Sequence, residues 1–164
     1  GMGRRVCTQI LYTTVRVATR QPLIIISSLW QAYDHWRGPQ EYELIELINE
    51  FLPQARPHAD IMWANDHMDE IHEAHDVQPT DLKFYDTVSI VENYDQVFVC
   101  GWHGEQCCAM KGWGTQPIGI KGLRCGLIQD LTVWWDHPPT DIALNISSRY
   151  ADLVTSRWVL QTIS

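Results

Sequence analysis

Val97-Phe98-Val99-Cys100-Gly101-Trp102-His103-Gly104-Glu105-Gln106-Cys107-Cys108 is the stretch whose reading decides the fold. Val97 to Cys100 form an unbroken apolar run ending at Gly101, as expected of a strand buried on both faces of a parallel sheet. The chain then turns through Trp102 to Gln106, and Cys107-Cys108 open a short helical segment. Open α/β sheets place their chemistry at the carboxyl ends of such strands, which is where Cys107 falls. A thiol at a helix N-terminus is also favoured as thiolate, which makes Cys107 the candidate nucleophile. Plain core filling is the competing reading of the same cysteine.

Working outward, Leu23-Ile24-Ile25-Ile26-Ser27-Ser28 reads as a first central strand introduced by Pro22, since proline belongs at a strand start. Glu41 to Leu52 carries Leu44, Ile45, Leu47, Ile48, Phe51 and Leu52 on one stripe and acids on the other, an amphipathic crossover helix that Pro53 should stop. Ala59 to Ala64 gives a second parallel strand and closes a β-α-β unit. Gly122 to Ile128 is a further strand ending near Asp130 and Thr132. Thr140-Asp141 starts a helix to about Tyr150, and Leu153 to Thr155 is a last short strand before a helix capped by Ser156. The pattern predicts an α/β domain of three layers, a mostly parallel five- to six-stranded sheet with helices on both faces. Residues 1–21 read as an N-terminal extension or arm, with strand-like composition but no clean alternation, and residues 22–164 as a single domain.

Strand, Cys-Gly, then Cys107 resembles the nucleophile segment of the isochorismatase-like cysteine hydrolases, which include nicotinamidases and related amidases. Pro22 to Tyr33, Gly122 to Thr132 and Asp152 to Leu160 resemble other segments of that family in the same order. The resemblance implies a Rossmann-like sheet and a Cys107 that attacks a small amide or related C–N substrate. It implies a lysine that holds the thiolate, for which Lys83 is the lysine between the metal region and the nucleophile strand. An ordinary solvated lysine is the alternative. The family's general-base aspartate aligns with Ser28, and a serine does not usefully accept the thiol proton at neutral pH. Asp34 and Glu105 are the nearby carboxylates that could substitute. The resemblance also puts an oxyanion-binding turn at Trp102, His103 and Gly104, with the Cys107 N–H, and Trp102 and Trp113 flank the nucleophile as pocket walls or as core.

The nicotinamidase branch holds a metal through an Asp-x-His and a later His. Asp66, His67 and His72 are the candidates here, although Asn65 stands where the pattern needs aspartate. His72 and His75, three apart, could share a helix face. The leading expectation is no metal and no other cofactor. A net charge of −8 and no basic cluster beyond Arg4-Arg5 argue against nucleic acid or an anionic membrane as partner, and no apolar run approaches the roughly 20 residues of a membrane span. Five cysteines without disulfide-scaffold spacing suggest reduced thiols in a cytoplasm. No leader is read behind Gly1-Met2. A small-molecule substrate and a homo-oligomer complete the expectation. Two further readings stand beside the hydrolase: a catalytically silent member kept for binding or assembly, and a thiol-redox role for Cys107-Cys108.

Overall fold

The computed structural model describes residues 21–27, 39–64, 75–83, 91–104, 106–134 and 138–163. Its elements in chain order are β1 (Leu23–Ser27), α1 (Pro39–Ala55), β2 (Asp60–Ala64), β3 (Leu82–Lys83), β4 (Val97–Trp102), α2 (Cys107–Met110), α3 (Thr115–Ile120), β5 (Cys125–Val133), α4 (Asp141–Ser148), β6 (Asp152–Val154) and α5 (Ser156–Ile163). They build one six-stranded sheet of order β3-β2-β1-β4-β5-β6, and every pairing is parallel. The α/β class and the helices on both faces are as the sequence predicts.

The central strands have no polar alternation because both their faces are covered. Ile24, Ile26, Trp63, Phe98 and Cys100 pack with Leu44, Ile48, Phe51 and Leu52 of α1 and Val159 of α5. Leu23, Ile25, Met62, Ala64, Val97 and Val99 face the other way, against Cys108, Ile118 and Ala143 from α2, α3 and α4. The burial of Cys100 pushes its thiol far above the ordinary range, and the charge of Asp130 adds to this.

Four boundaries differ from expectation. Pro53 lies inside α1, not beyond it. In the last turn its missing N–H costs one bond, and Arg56 N–H to Leu52 C=O (2.9 Å) still closes the helix. β5 continues past Ile128 to Val133 through an irregularity: between the pairs Val99↔Leu127 and Gly101↔Thr132, β4 advances two residues and β5 five. The Thr132 hydroxyl donates to Ile128 C=O (2.6 Å) across that excursion. α5 is capped by Thr155 rather than Ser156, because the Thr155 hydroxyl accepts the Trp158 N–H (3.3 Å). His75 is in a bend, buried against the Trp63 ring (4.9 Å between centroids), and so shares no helix face with His72.

β3 has only two residues and is fastened by side chains. The Asp81 carboxylate accepts from Arg56 Nε (3.1 Å) and Nη2 (2.8 Å), from Trp63 Nε1 (2.9 Å) and from the Gln78 N–H (2.9 Å). Arg56 also donates to the carbonyl (2.6 Å) and carboxylate (3.3 Å) of Asp76. Burial pushes the Asp81 carboxyl upward, but the bonds from Arg56, Gln78 and Trp63 outweigh it and hold it below the usual carboxylate range. The N-terminal arm, residues 1–20, and most of the helix read at 86–94 lie outside the described residues.

Candidate active site

The site begins where β1 and β4 end together. Ser27 and Gly101 are register partners, and Gly101 has φ +110°. A Cβ at Gly101 would fall 2.2 Å from the Ser27 carbonyl oxygen, so the strands approach here as only glycine permits. One residue on, the buried Ser27 hydroxyl donates to the Trp102 carbonyl (2.6 Å). Counting from Leu23 and Ile25, Ser27 leaves the sheet on the face that α2 covers.

The loop to Cys107 is fixed almost residue by residue. The Gly104 N–H donates to Val133 C=O (2.8 Å), and the Ser147 hydroxyl of α4 lies 3.5 Å from the Gly104 carbonyl that accepts from it. Gly104 rests on the Trp134 indole so closely that a Cβ would meet the ring at 2.6 Å. The His103 carbonyl accepts both the Gln106 N–H (3.3 Å) and the Cys108 N–H (2.9 Å), which turns the chain into α2. Cys107 emerges half-buried while Cys108 is fully buried in the core. α2 is a single turn, so it sums little dipole; what it offers Cys107 is local amide geometry.

His103 is 5% exposed and its ring stacks on Trp102 (4.4 Å between centroids, 18° between planes). Burial lowers its pKa to about 4, so the imidazole is neutral at neutral pH. Trp102 is half-buried at the loop, whereas Trp113 is buried among the residues under α2 and α3 and belongs to the core. Of the turn amides, those of Gly104, Gln106 and Cys108 are engaged within the loop and its neighbours.

Lys83 is exposed on β3 and pairs with Trp63, toward the carboxyl end of the sheet where Cys107 also lies. β2 and β1 stand between β3 and β4, so at about 4.8 Å per strand the Lys83 and β4 backbones are roughly 14 Å apart. The structure thus brings the two to one end of the sheet, and no hydrogen bond or ion pair engages Lys83 among the described residues. Asp130, at the far side of β5, is turned away: its carboxylate accepts the Ser156 N–H (2.6 Å) and hydroxyl (2.7 Å) at the start of α5.

Ser28, Asp34, Glu105 and the metal candidates Asp66, His67 and His72 lie outside the described residues, and among the described residues no three His, Cys, Asp or Glu cluster as metal ligands. Sequence reasoning missed Ser27 and Trp134. Register counting from Gly101 points to Ser27; nothing in the sequence announces Trp134 beneath Gly104.

No family model matches the chain, and no curated protein matches it in sequence. Solved structures do. An isochorismatase-like hydrolase from Alkaliphilus metalliredigens superposes with a TM-score of 0.69 at 11% identity, over 88% of this chain and 100% of that one. N-carbamoylsarcosine amidase from Thermoplasma acidophilum gives 0.64 at 12% identity, over 84% and 97%. A MAR1 ribonuclease from Caenorhabditis elegans gives 0.65 at 12%, over 87% and 81%. The protein therefore has the fold of the isochorismatase-like hydrolases. No helix among the described residues is long and apolar enough to cross a membrane.

Proposed function

We propose that the protein is a cysteine hydrolase that cleaves a small amide or related C–N bond, with Cys107 as nucleophile. The observation that carries the reading is the placement of a half-buried thiol at the carboxyl end of the central strand β4. It sits on a loop tied down from β1 by Ser27, from β5 by Val133 and from α4 by Ser147. That fold is shared with an amidase. Rigid presentation of this kind is what a nucleophile needs.

In the reaction the Cys107 thiolate attacks the carbonyl carbon and forms a C–S bond. The C–N bond then breaks and the amine leaves with a proton. Water hydrolyses the thioester and returns the thiol. His103 stays neutral at neutral pH, which argues against a cysteine–histidine ion pair and leaves Lys83 as the cation that favours the thiolate. Since the Gly104, Gln106 and Cys108 amides are engaged, the oxyanion falls to the Cys107 N–H together with the rest of the turn. The half-buried Trp102 offers a flat aromatic wall to a planar substrate. No step is routed through a metal.

The second reading, a catalytically silent relative kept for binding or assembly, is favoured by the Ser27-Ser28 end of β1, which supplies no carboxylate. Ser27 is itself engaged as a structural latch. Ile142 and Ile146, exposed one turn apart on α4, and exposed Met110 on the same side of the sheet support self-association under either reading.

The deciding experiment is the pH dependence of Cys107 alkylation by iodoacetamide, with Cys107→Ser to identify the signal, followed by a screen of small amides and N-carbamoyl amino acids. A midpoint well below the roughly 8.5 of a free thiol, with C–N cleavage lost in Cys107→Ser, supports the hydrolase. An ordinary midpoint with no cleavage supports the silent relative.

A further inference from the structure

β3 presents a physical problem that its ladder does not solve. Two register pairs, Met62↔Leu82 and Trp63↔Lys83, are all that align it with β2. A slip of one residue would exchange the faces of Leu82 and Lys83, since side chains alternate along a strand. Leu82 packs against the core beneath α2 and α3, whereas Lys83 is exposed. So short a strand does not hold that choice by its own backbone bonds.

The choice is held just outside the strand. Asp81, the residue before Leu82, has a side chain only 3% exposed, and its carboxylate receives a two-point contact from Arg56, which directly follows α1. It also receives the indole N–H of Trp63, the β2 residue that pairs with Lys83. The Gln78 N–H to the same carboxylate, and the Asp81 N–H to the Gln78 carbonyl (3.0 Å), close the turn that leads in. Moving β3 by one residue, about 3.3 Å, would break every one of these contacts. Charge-assisted, two-point arginine–carboxylate pairs are the kind that impose geometry.

We infer that the Arg56–Asp81 clamp is a register lock that positions Lys83, with Arg56 and Asp81 as positioning residues for the reaction at Cys107. The inference rests on the proposed role of Lys83 as the cation for the Cys107 thiolate. On this account the amino end of β3 is fastened so that its carboxyl end can deliver one charge to the site. It also explains why an exposed edge strand of two residues carries a nearly buried carboxylate with four donors.

The test is a double-mutant cycle read by the midpoint pH of Cys107 alkylation, followed by mass spectrometry in the full chain, with folding of each variant checked by circular dichroism. Lys83→Met should raise the midpoint by about one pH unit, as loss of a neighbouring cation does. Asp81→Asn should raise it by at least half as much in the wild-type background and by nothing further in Lys83→Met. Arg56→Lys, which keeps a cation but not the two-point contact, is read in the same way where Asp81→Asn does not fold. General loosening of the fold would change Cys107 reactivity with or without Lys83, so the loss of effect in the Lys83→Met background is the signature of positioning. If Lys83→Met raises the midpoint while folded Asp81→Asn or Arg56→Lys leaves it unchanged, the lock is refuted and the role of Lys83 stands. If Lys83→Met itself has no effect, the role of Lys83 falls and the lock falls with it.

Discussion

Substituting Gly101 by alanine separates two costs that the structure assigns to different glycines. At φ +110° an L-residue pays about 1–3 kcal/mol of backbone strain. The new Cβ would also lie 2.2 Å from the Ser27 carbonyl oxygen, a contact with backbone that no rotamer change relieves. Forcing β1 and β4 apart at that point adds an overpacking cost of about 1–3 kcal/mol, so the total is about 4 kcal/mol. Gly122 isolates the first cost: its φ is +77° and nothing lies within 4 Å of its Cβ position, which predicts about 1–2 kcal/mol for Gly122→Ala. Gly112 has neither feature and should be within about 0.5 kcal/mol of wild type. Urea denaturation followed by tryptophan fluorescence and circular dichroism measures all three. With the slope of about 2 kcal/mol per molar usual for small domains, the Gly101→Ala midpoint should fall by about 2 M. A Gly101→Ala variant no less stable than Gly122→Ala would refute the close approach of β1 and β4, and with it the account of how the nucleophile loop is aimed.

Three further outcomes follow from protonation and burial. His103 is held near pKa 4 against 6.5 unfolded, so the unfolded chain binds more protons between those values. Stability is therefore full above pH 6.5 and falls by up to about 3 kcal/mol as pH drops toward 4, and His103→Gln should remove that slope in denaturation curves taken across the range. Asp81 is held below its unfolded value, so its contribution is present above the unfolded carboxylate range and is lost as pH falls through the lowered folded value. Acid unfolding of Asp81→Asn should lack that component. Burial, then the charge of Asp152, pushes the Cys125 thiol to about 11, and its Sγ lies 3.0 Å from the Tyr150 carbonyl. At pH 8 iodoacetamide should label Cys107 in the native protein and reach Cys100 and Cys125 only after unfolding, as peptide mass mapping would show.

The parts of the fold legible in sequence are those whose burial is uniform. β1, β2 and β4 read as unbroken apolar runs because both faces are covered, and α1 reads as one stripe because only one face is. β5 was legible only as far as Ile128, since Gln129 and Asp130 interrupt the apolar pattern where the strand bulges and then resumes. β3 is two residues long and leaves no periodicity to find. At the site, the position of Cys107 after β4 follows from local sequence. Ser27 does not, because its role depends on the register between strands 75 residues apart. The clamp of Arg56, Asp76 and Asp81 joins the end of a helix to the start of a strand across 25 residues, a contact that neither local pattern reveals.

The loop that presents Cys107 also has an order of assembly built into it. Its fastenings come from Ser27, far upstream, and from Val133 and Ser147, both downstream of the thiol. Contacts of such sequence separation are the slow ones, since the intervening chain must first lose its freedom. A partly synthesised or partly folded chain has the cysteine but none of these fastenings. Reactivity set by the loop is therefore a property that arrives only with the last-closing contacts, and a trapped intermediate would carry Cys107 as an ordinary thiol.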